Sequence, residues 1–125
     1  MQAKTRKFIN WGLAGLVGLN FIGSALVKLS GSAAAREMAE GIGVNRTAFT
    51  IIGIIELISV VLFIIPRTGV LGTLLLVAYM GGAIASHVIL EEPFLFPAAV
   101  AAFVWIAAVI RFPELTRRIA ASGNP

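Results

Sequence analysis

Three ionisable side chains of this 125-residue chain lie inside or at the ends of long apolar runs. Glu56 is in the middle of the run 51–58, while Lys28 and His87 lie toward the ends of two other runs. A carboxylate, an ammonium group and an imidazole can together bind a polar group and exchange a proton with it. An ionisable group deep in a bilayer is costly unless it is paired or protonated, so Glu56 is a candidate functional residue.

Other polar residues share helix faces with Lys28 and His87. The first set is spaced i, i+4, i+8 and the second i, i+7, i+8, which places each set on one side of a helix: Asn20, Ser24 and Lys28, and Tyr79, Ser86 and His87. Side chains lean toward the N-terminus of their own helix, so Lys28 and His87 tilt toward the membrane interior and Glu56, on a helix of opposite direction, tilts toward them. We expect the three ionisable side chains to converge.

Each of these residues also has a purely structural interpretation. Lys28 could extend its amino group to the membrane surface, and His87 could be an interfacial histidine. Asn20 and Tyr79 could be hydrogen-bonded between helices. Glu56 has fewer alternatives, because a carboxylate at mid-depth must be protonated, bonded within the bundle or exposed to a hydrated pocket.

The elements that hold these residues are predicted to be membrane-spanning helices. The chain is 58% hydrophobic and 13% charged, with a mean hydropathy of +0.95, which is typical of an integral membrane protein. Four apolar segments have about the 20 residues needed to span a bilayer: 8–29, 47–65, 69–90 and 94–112. Short connections predict antiparallel neighbours. The expected fold is all-α, a four-helix up-down bundle forming a single domain over residues 1–125.

The first connection is long enough for a short helix of its own. Ser32 can cap a helix that runs through Glu40, and Gly41 is positioned to end it. We expect this helix to lie in the membrane interface.

The basic residues predict the orientation of the spans. Seven of them fall on one side of the membrane and three on the other, which places both termini in the cytoplasm of a multi-pass cell-membrane protein: Lys4, Arg6, Lys7, Arg67, Arg111, Arg117 and Arg118 against Lys28, Arg36 and Arg46. This distribution accounts for the net charge of +4 without a nucleic-acid partner. A competing interpretation makes residues 1–35 a cleaved signal peptide, although the apolar stretch is long for one.

Glycines recur within the spans and predict close packing of helices. They are Gly12, Gly15 and Gly18 in the first span, and Gly69, Gly72, Gly81 and Gly82 in the third. The pattern leaves open whether the contacts form within one chain or between copies.

The chain has no cysteine and one histidine. Disulfides, thiolate metal sites and multi-histidine metal sites are therefore excluded, and no metal site is predicted. Axial ligation of haem iron by His87 is the remaining metal option, and it rests on that single residue. Any redox role needs a bound cofactor or a partner protein.

Five fragments of the chain, taken in order, carry a resemblance that covers nearly its whole length: 24–28, 52–57, 66–67, 82–87 and 111–115. The resemblance is to the DoxX-like family of small four-span membrane proteins. It implies an up-down bundle with relatives that include a subunit of a thiosulfate:quinone oxidoreductase, oxidative-stress membrane complexes and a receptor-assembly chaperone. The chain matches the polar pattern of the family at Lys28, Glu56, Arg67 and His87.

The function that we predict is a redox-associated membrane subunit with a pocket in the outer half of the bundle. The ligand would be a quinone-like or other lipophilic carbonyl-bearing molecule, and a bound quinone is the one cofactor suggested. Glu56 and His87 are the candidate catalytic residues, and five others would bind the ligand: Lys28, Asn20, Ser24, Tyr79 and Ser86. The expected partners are the lipid bilayer, the lipophilic small molecule, and a second copy or another membrane subunit. A non-enzymatic assembly or scaffold protein is the first alternative, and a proton-coupled transporter is the second.

Overall fold

The structure, a computed structural model, describes residues 2–120. This part of the chain forms six α-helices and a short 3₁₀ turn, and it contains no strand. The helices are α1 (Ala3–Leu29), α2 (Ala33–Ile42), α3 (Arg46–Ile64), α4 (Gly69–Ile89), α5 (Leu95–Arg111) and α6 (Pro113–Ile119), and the turn is Pro66–Thr68. The all-α prediction is confirmed.

Three helical stretches are long and apolar enough to cross a membrane: Ala3–Leu29, Arg46–Ile64 and Pro66–Ile89. Helices α5 and α6 pass the same test together, but they meet at an angle of 106°. A third or less of each apolar window in the first three stretches is buried inside the protein. The remaining apolar surface faces outward, as a helix surrounded by lipid requires. The protein is therefore a multi-pass membrane protein with three or four spans.

Side-chain caps begin two of the helices. Ser32 Oγ accepts a hydrogen bond of 3.2 Å from the Ala35 N–H at the start of α2, as predicted. Asn45 Oδ1 accepts one of 2.8 Å from the Ala48 N–H at the start of α3. These caps satisfy N–H groups that have no partner within the helix.

The end of α2 differs from the prediction. The helix continues through Gly41 and ends at Ile42, because Gly43 adopts the left-handed conformation with φ of 85°. The Gly43 N–H bonds to the carbonyls of Ala39 and Glu40, which have no partner in the last helical turn. Gly43 therefore ends the helix, in place of the predicted Gly41.

Helix α6 was not predicted. Pro113 occupies its first turn with Glu114, and both residues favour a helix start. The sequence therefore carried a signal for this helix beyond the end of the fourth apolar segment.

The predicted spans pack side by side. Helix α1 contacts α3 and α5, while α4 contacts α3 and α5. A Cβ atom added to Gly72 would lie 2.1 Å from the Phe63 backbone nitrogen, so only glycine permits this crossing of α3 and α4. Gly69 likewise makes room for the Phe112 ring. Four glycines of the predicted pattern meet nothing within 4 Å: Gly12, Gly15, Gly81 and Gly82. The up-down insertion of four spans stays a prediction.

The apolar core fills the half of the bundle near the chain termini. Its largest fully buried side chains include Phe21, Phe63 and Leu76. At the other end, Ala35 and Ala39 of α2 pack on Phe49 at the start of α3. The polar residues predicted as a site lie between this small cluster and the main core.

Candidate functional site

Lys28 of α1 and Glu56 of α3 form a buried ion pair. The Lys28 Nζ atom lies 3.4 Å from each oxygen of the Glu56 carboxylate. Lys28 is 8% exposed and Glu56 is 1% exposed. Since burial of either charge alone is costly, the contact explains how both are tolerated inside apolar helices. The prediction that these two residues face each other is confirmed, and Lys28 does not extend to the surface.

Ser24 connects the two charges. Lys28 Nζ donates a hydrogen bond of 2.6 Å to Ser24 Oγ, and Ser24 Oγ donates one of 3.2 Å to Glu56 Oε2. The ammonium group also lies 6.0 Å from the centre of the Phe49 ring and 5.9 Å from that of Tyr79. The N–H groups of Lys28 are thus directed at oxygens and aromatic faces of the protein itself.

Gly53 permits the close approach of α1 and α3 at this point. A Cβ atom added there would lie 3.0 Å from Lys28 Cβ and 3.3 Å from the Leu29 side chain. The residue is three positions before Glu56 and therefore on the same helix face. Sequence reasoning missed this role, although a glycine one turn from a buried acid was a usable signal.

A cavity of about 590 Å³ lies beside the ion pair and is lined by residues of α1 to α5. All seven residues predicted as a site line it, and Glu92 adds an eighth polar side chain: Asn20, Ser24, Lys28, Glu56, Tyr79, Ser86 and His87. The volume falls within the range of small-molecule sites. The prediction of one shared pocket therefore agrees with the geometry, while the roles of the residues stay predictions.

His87 and Ser86 lie on the α4 wall of this cavity and bond to their own helix. His87 Nδ1 is 2.8 Å from the Ala83 carbonyl oxygen. Ser86 Oγ donates a hydrogen bond of 2.9 Å to the Gly82 carbonyl. The structure thus brings Lys28, Ser24 and Glu56 into direct contact, whereas His87 and Ser86 share the cavity and are held by backbone carbonyls.

The remaining lining is largely apolar and reaches the outer surface of the bundle. Its exposed lining residues include Met38 and Ile42 of α2, Leu90 and Phe96, together with the polar Asn20 and Glu92. This opening is largely apolar, so it suits a lipophilic molecule. The contribution of α2 was not predicted, although the amphipathic pattern of this helix could have indicated it.

A comparison with protein families matches residues 12–109, most of the chain, to the DoxX-like family. The chain belongs to this family. Its members are small membrane proteins, in agreement with the apolar helices described above. No curated protein and no solved structure matches the chain.

The DoxX-like chain also has a second buried cation, at the end of the bundle opposite the cavity. The Arg111 side chain donates hydrogen bonds to three backbone carbonyls: Asn10 of α1, and Phe63 and Ile64 at the end of α3. Its guanidinium carbon lies between 5.1 and 5.8 Å from the ring centres of Trp11, Phe63 and Phe112. Arg111 therefore ties α1, α3 and α5 together. The sequence analysis used it only as a marker of membrane orientation.

Among the residues that the structure describes, no three histidine, cysteine, aspartate or glutamate side chains are grouped in a way that could hold a metal ion. The polar side chains that line the cavity can form hydrogen bonds, and the Glu56 carboxylate and the His87 imidazole are groups able to exchange a proton.

Proposed function

We propose that this protein is a redox-associated membrane subunit that binds a quinone-like or other lipophilic carbonyl-bearing molecule in the cavity beside Lys28 and Glu56. One observation supports this most directly: the cavity of about 590 Å³ combines an apolar opening with a row of polar side chains. A ring with polar substituents and an apolar tail matches that division, since the ring can reach the polar wall while the tail remains in the opening.

The polar wall supplies groups for proton exchange. Glu56 and His87 are the candidates for this role, because a carboxylate and an imidazole can each accept a proton from a ligand. Lys28 holds the Glu56 carboxylate in place, and Ser24 bonds to both. The chain has no cysteine, so electrons would be exchanged with a partner subunit or another bound cofactor.

We also propose that the cavity lies in the outer half of the cell membrane, with both termini in the cytoplasm. The support is the division of basic residues, seven toward one face and three toward the other. When protease is added outside intact cells, a cleavable tag at either terminus is expected to be protected. The same tag inserted at Gly31, between α1 and α2, is expected to be cleaved. Cleavage at the termini with protection at Gly31 would contradict this orientation.

Filling the cavity tests the binding proposal. A Cβ atom added to Gly82 meets nothing within 4 Å, and this residue lines the cavity. The variant Gly82→Leu is therefore expected to keep its fold but to weaken binding of a decyl-substituted benzoquinone and of its hydroquinone by at least about tenfold, because a leucine side chain occupies ligand space. Binding would be measured by calorimetry on the protein purified in detergent.

The neighbouring glycine provides the matched control. Gly81 also has open space around its Cβ position, but it is not part of the cavity lining. Gly81→Leu should bind both compounds as the unmodified protein does. Equal loss in the two variants, or unchanged binding in Gly82→Leu, would show that the compounds bind elsewhere.

A second candidate function is an assembly or scaffold protein without a ligand. The closed arrangement of Lys28, Ser24 and Glu56 favours it, because these groups satisfy one another and could serve only to fix the register of α1 and α3. An unmodified protein that binds neither the quinone nor the hydroquinone would support this function and contradict the first.

A further inference from the structure

The hydrogen bond of His87 determines what its imidazole offers to the cavity. Its Nδ1 atom is 2.8 Å from the Ala83 carbonyl oxygen, which can only accept a hydrogen bond. Nδ1 must therefore carry the hydrogen. In the neutral ring, the other nitrogen, Nε2, then has a free lone pair and acts as an acceptor.

Ser86 presents the same type of group beside it. The single hydroxyl hydrogen of Ser86 is donated to the Gly82 carbonyl at 2.9 Å, which leaves its oxygen as an acceptor. Ser86 and His87 are adjacent on α4, and both line the cavity. This wall consequently offers two acceptors to a ligand.

The ammonium group of Lys28 does not supply a donor to this wall. It is directed to Ser24 Oγ and to both oxygens of Glu56, and it lies 6.0 Å from the centre of the Phe49 ring and 5.9 Å from that of Tyr79. A ligand carbonyl is itself an acceptor, so it could form no hydrogen bond with the acceptor atoms of Ser86 and His87. A ligand hydroxyl in the same position would donate a hydrogen bond to His87 Nε2.

We infer that the cavity selects a lipophilic molecule with a ring hydroxyl over the corresponding quinone, and that His87 Nε2 is the acceptor that determines this specificity. The inference rests on the proposed function, and it changes the expected contact. The sequence predicted a carbonyl-bearing ligand, with Lys28 among its binding residues and His87 as a catalytic residue, whereas the hydrogen bonds of Lys28 and His87 favour the reduced, hydroxyl-bearing form. A hydroquinone and a simple phenol share this chemistry.

Four probes with the same decyl tail separate the alternatives: the benzohydroquinone, the benzoquinone, the hydroquinone dimethyl ether and a decylphenol. Dissociation constants would be measured by calorimetry on the detergent-purified protein without oxygen. The hydroquinone is expected to bind about tenfold more tightly than the quinone and the dimethyl ether, because only the hydroquinone can donate to His87. A phenol as tight as the hydroquinone supports recognition of one hydroxyl, and a weaker phenol supports recognition of two.

Two substitutions test the assignment to His87. His87→Phe keeps a ring but has no acceptor, so the hydroquinone and the quinone should bind with about equal affinity. His87→Gln regains an acceptor through its amide oxygen and should restore part of the preference. A role of His87 in packing alone would change the affinity for all four probes equally and would leave their ratio intact.

The failures of the two proposals are distinguishable. If the quinone binds at least as tightly as the hydroquinone, or if the preference survives in His87→Phe, the inference on specificity is wrong and the cavity remains a quinone site. If none of the four probes binds, both the proposed function and this inference are wrong.

Discussion

Replacing Lys28 with methionine is expected to destabilise the protein by about 3–5 kcal/mol, a typical effect when one partner of a buried ion pair is removed. Glu56 is 1% exposed, and its carboxylate would lose the ammonium group 3.4 Å away. Methionine keeps most of the length and apolar contact of the lysine stem, so the loss reports mainly on the charge. The measurement is the free energy of unfolding in detergent micelles.

Substitution of Glu56, the other member of the ion pair, shows whether the loss of stability arises from the pair. In the double variant Lys28→Met with Glu56→Gln, no uncompensated charge remains, so the protein should recover part of its stability. The two substitutions should be non-additive by about 0.5–3 kcal/mol, as expected for groups in direct contact. Lys7→Met is the matched control, because Lys7 is exposed and undergoes the same chemical change.

Additive effects of the two substitutions would mean that Lys28 and Glu56 do not stabilise each other, in conflict with the contact in the structure. A single Lys28→Met variant as stable as Lys7→Met would have the same meaning. In either case the cavity would lose its anchored carboxylate, and the proton-exchange role of Glu56 would need different support.

The helices were predictable because their signals are local. An apolar segment of about 20 residues identifies a span without knowledge of its neighbours. The cap at Ser32 depends on residues within one turn, and it was predicted correctly. Local signals could not predict whether the helix ends at Gly41 or at Gly43, because both glycines permit a helix end. The structure shows that the Gly43 N–H bonds to the carbonyls of Ala39 and Glu40.

Seven of the eight polar residues that line the cavity were also predictable, but their hydrogen bonds were not. Spacing of i and i+4 places Asn20, Ser24 and Lys28 on one face whatever the partner helix is. The choice of Ser24 as the link between Lys28 and Glu56 depends on the separation of α1 and α3, which Gly53 sets. Such a separation is a tertiary property, and periodicity within one helix carries no information on it.

Arg111 illustrates the opposite case, a residue whose sequence context suggested little. An arginine at the end of an apolar segment is expected at the membrane surface, where it serves as one of the basic residues that predict orientation. The structure leaves it only 8% exposed. Its partners are backbone carbonyls and aromatic rings of α1 and α3 and the ring of Phe112. Carbonyl groups without a helical partner occur at the end of every helix. No pattern in the chain distinguishes the carbonyls that will accept from an arginine.

Arg111→Met is expected to destabilise the protein by about 3 kcal/mol or more. The substitution removes hydrogen bonds from a charged donor to the carbonyls of Asn10, Phe63 and Ile64. Hydrogen bonds to charged groups contribute about 1.5–3 kcal/mol each, and two of these carbonyls lie in the last turn of α3, where helical partners are missing. The cation–π contacts with the Phe63 and Phe112 rings are lost as well.

Arg111→Lys separates geometry from charge. Lysine keeps the positive charge at the negative end of the α3 dipole, but it cannot reach carbonyls of two helices with a planar, forked donor. It should therefore recover only part of the loss, and Arg117→Met, which changes an exposed arginine of α6, should cost almost nothing. Hydroquinone binding by the folded Arg111→Lys protein should be unchanged, since the cavity lies at the other end of the bundle. Full recovery by lysine would show that charge alone explains the contribution of Arg111, and that the bridge to α1 and α3 adds nothing.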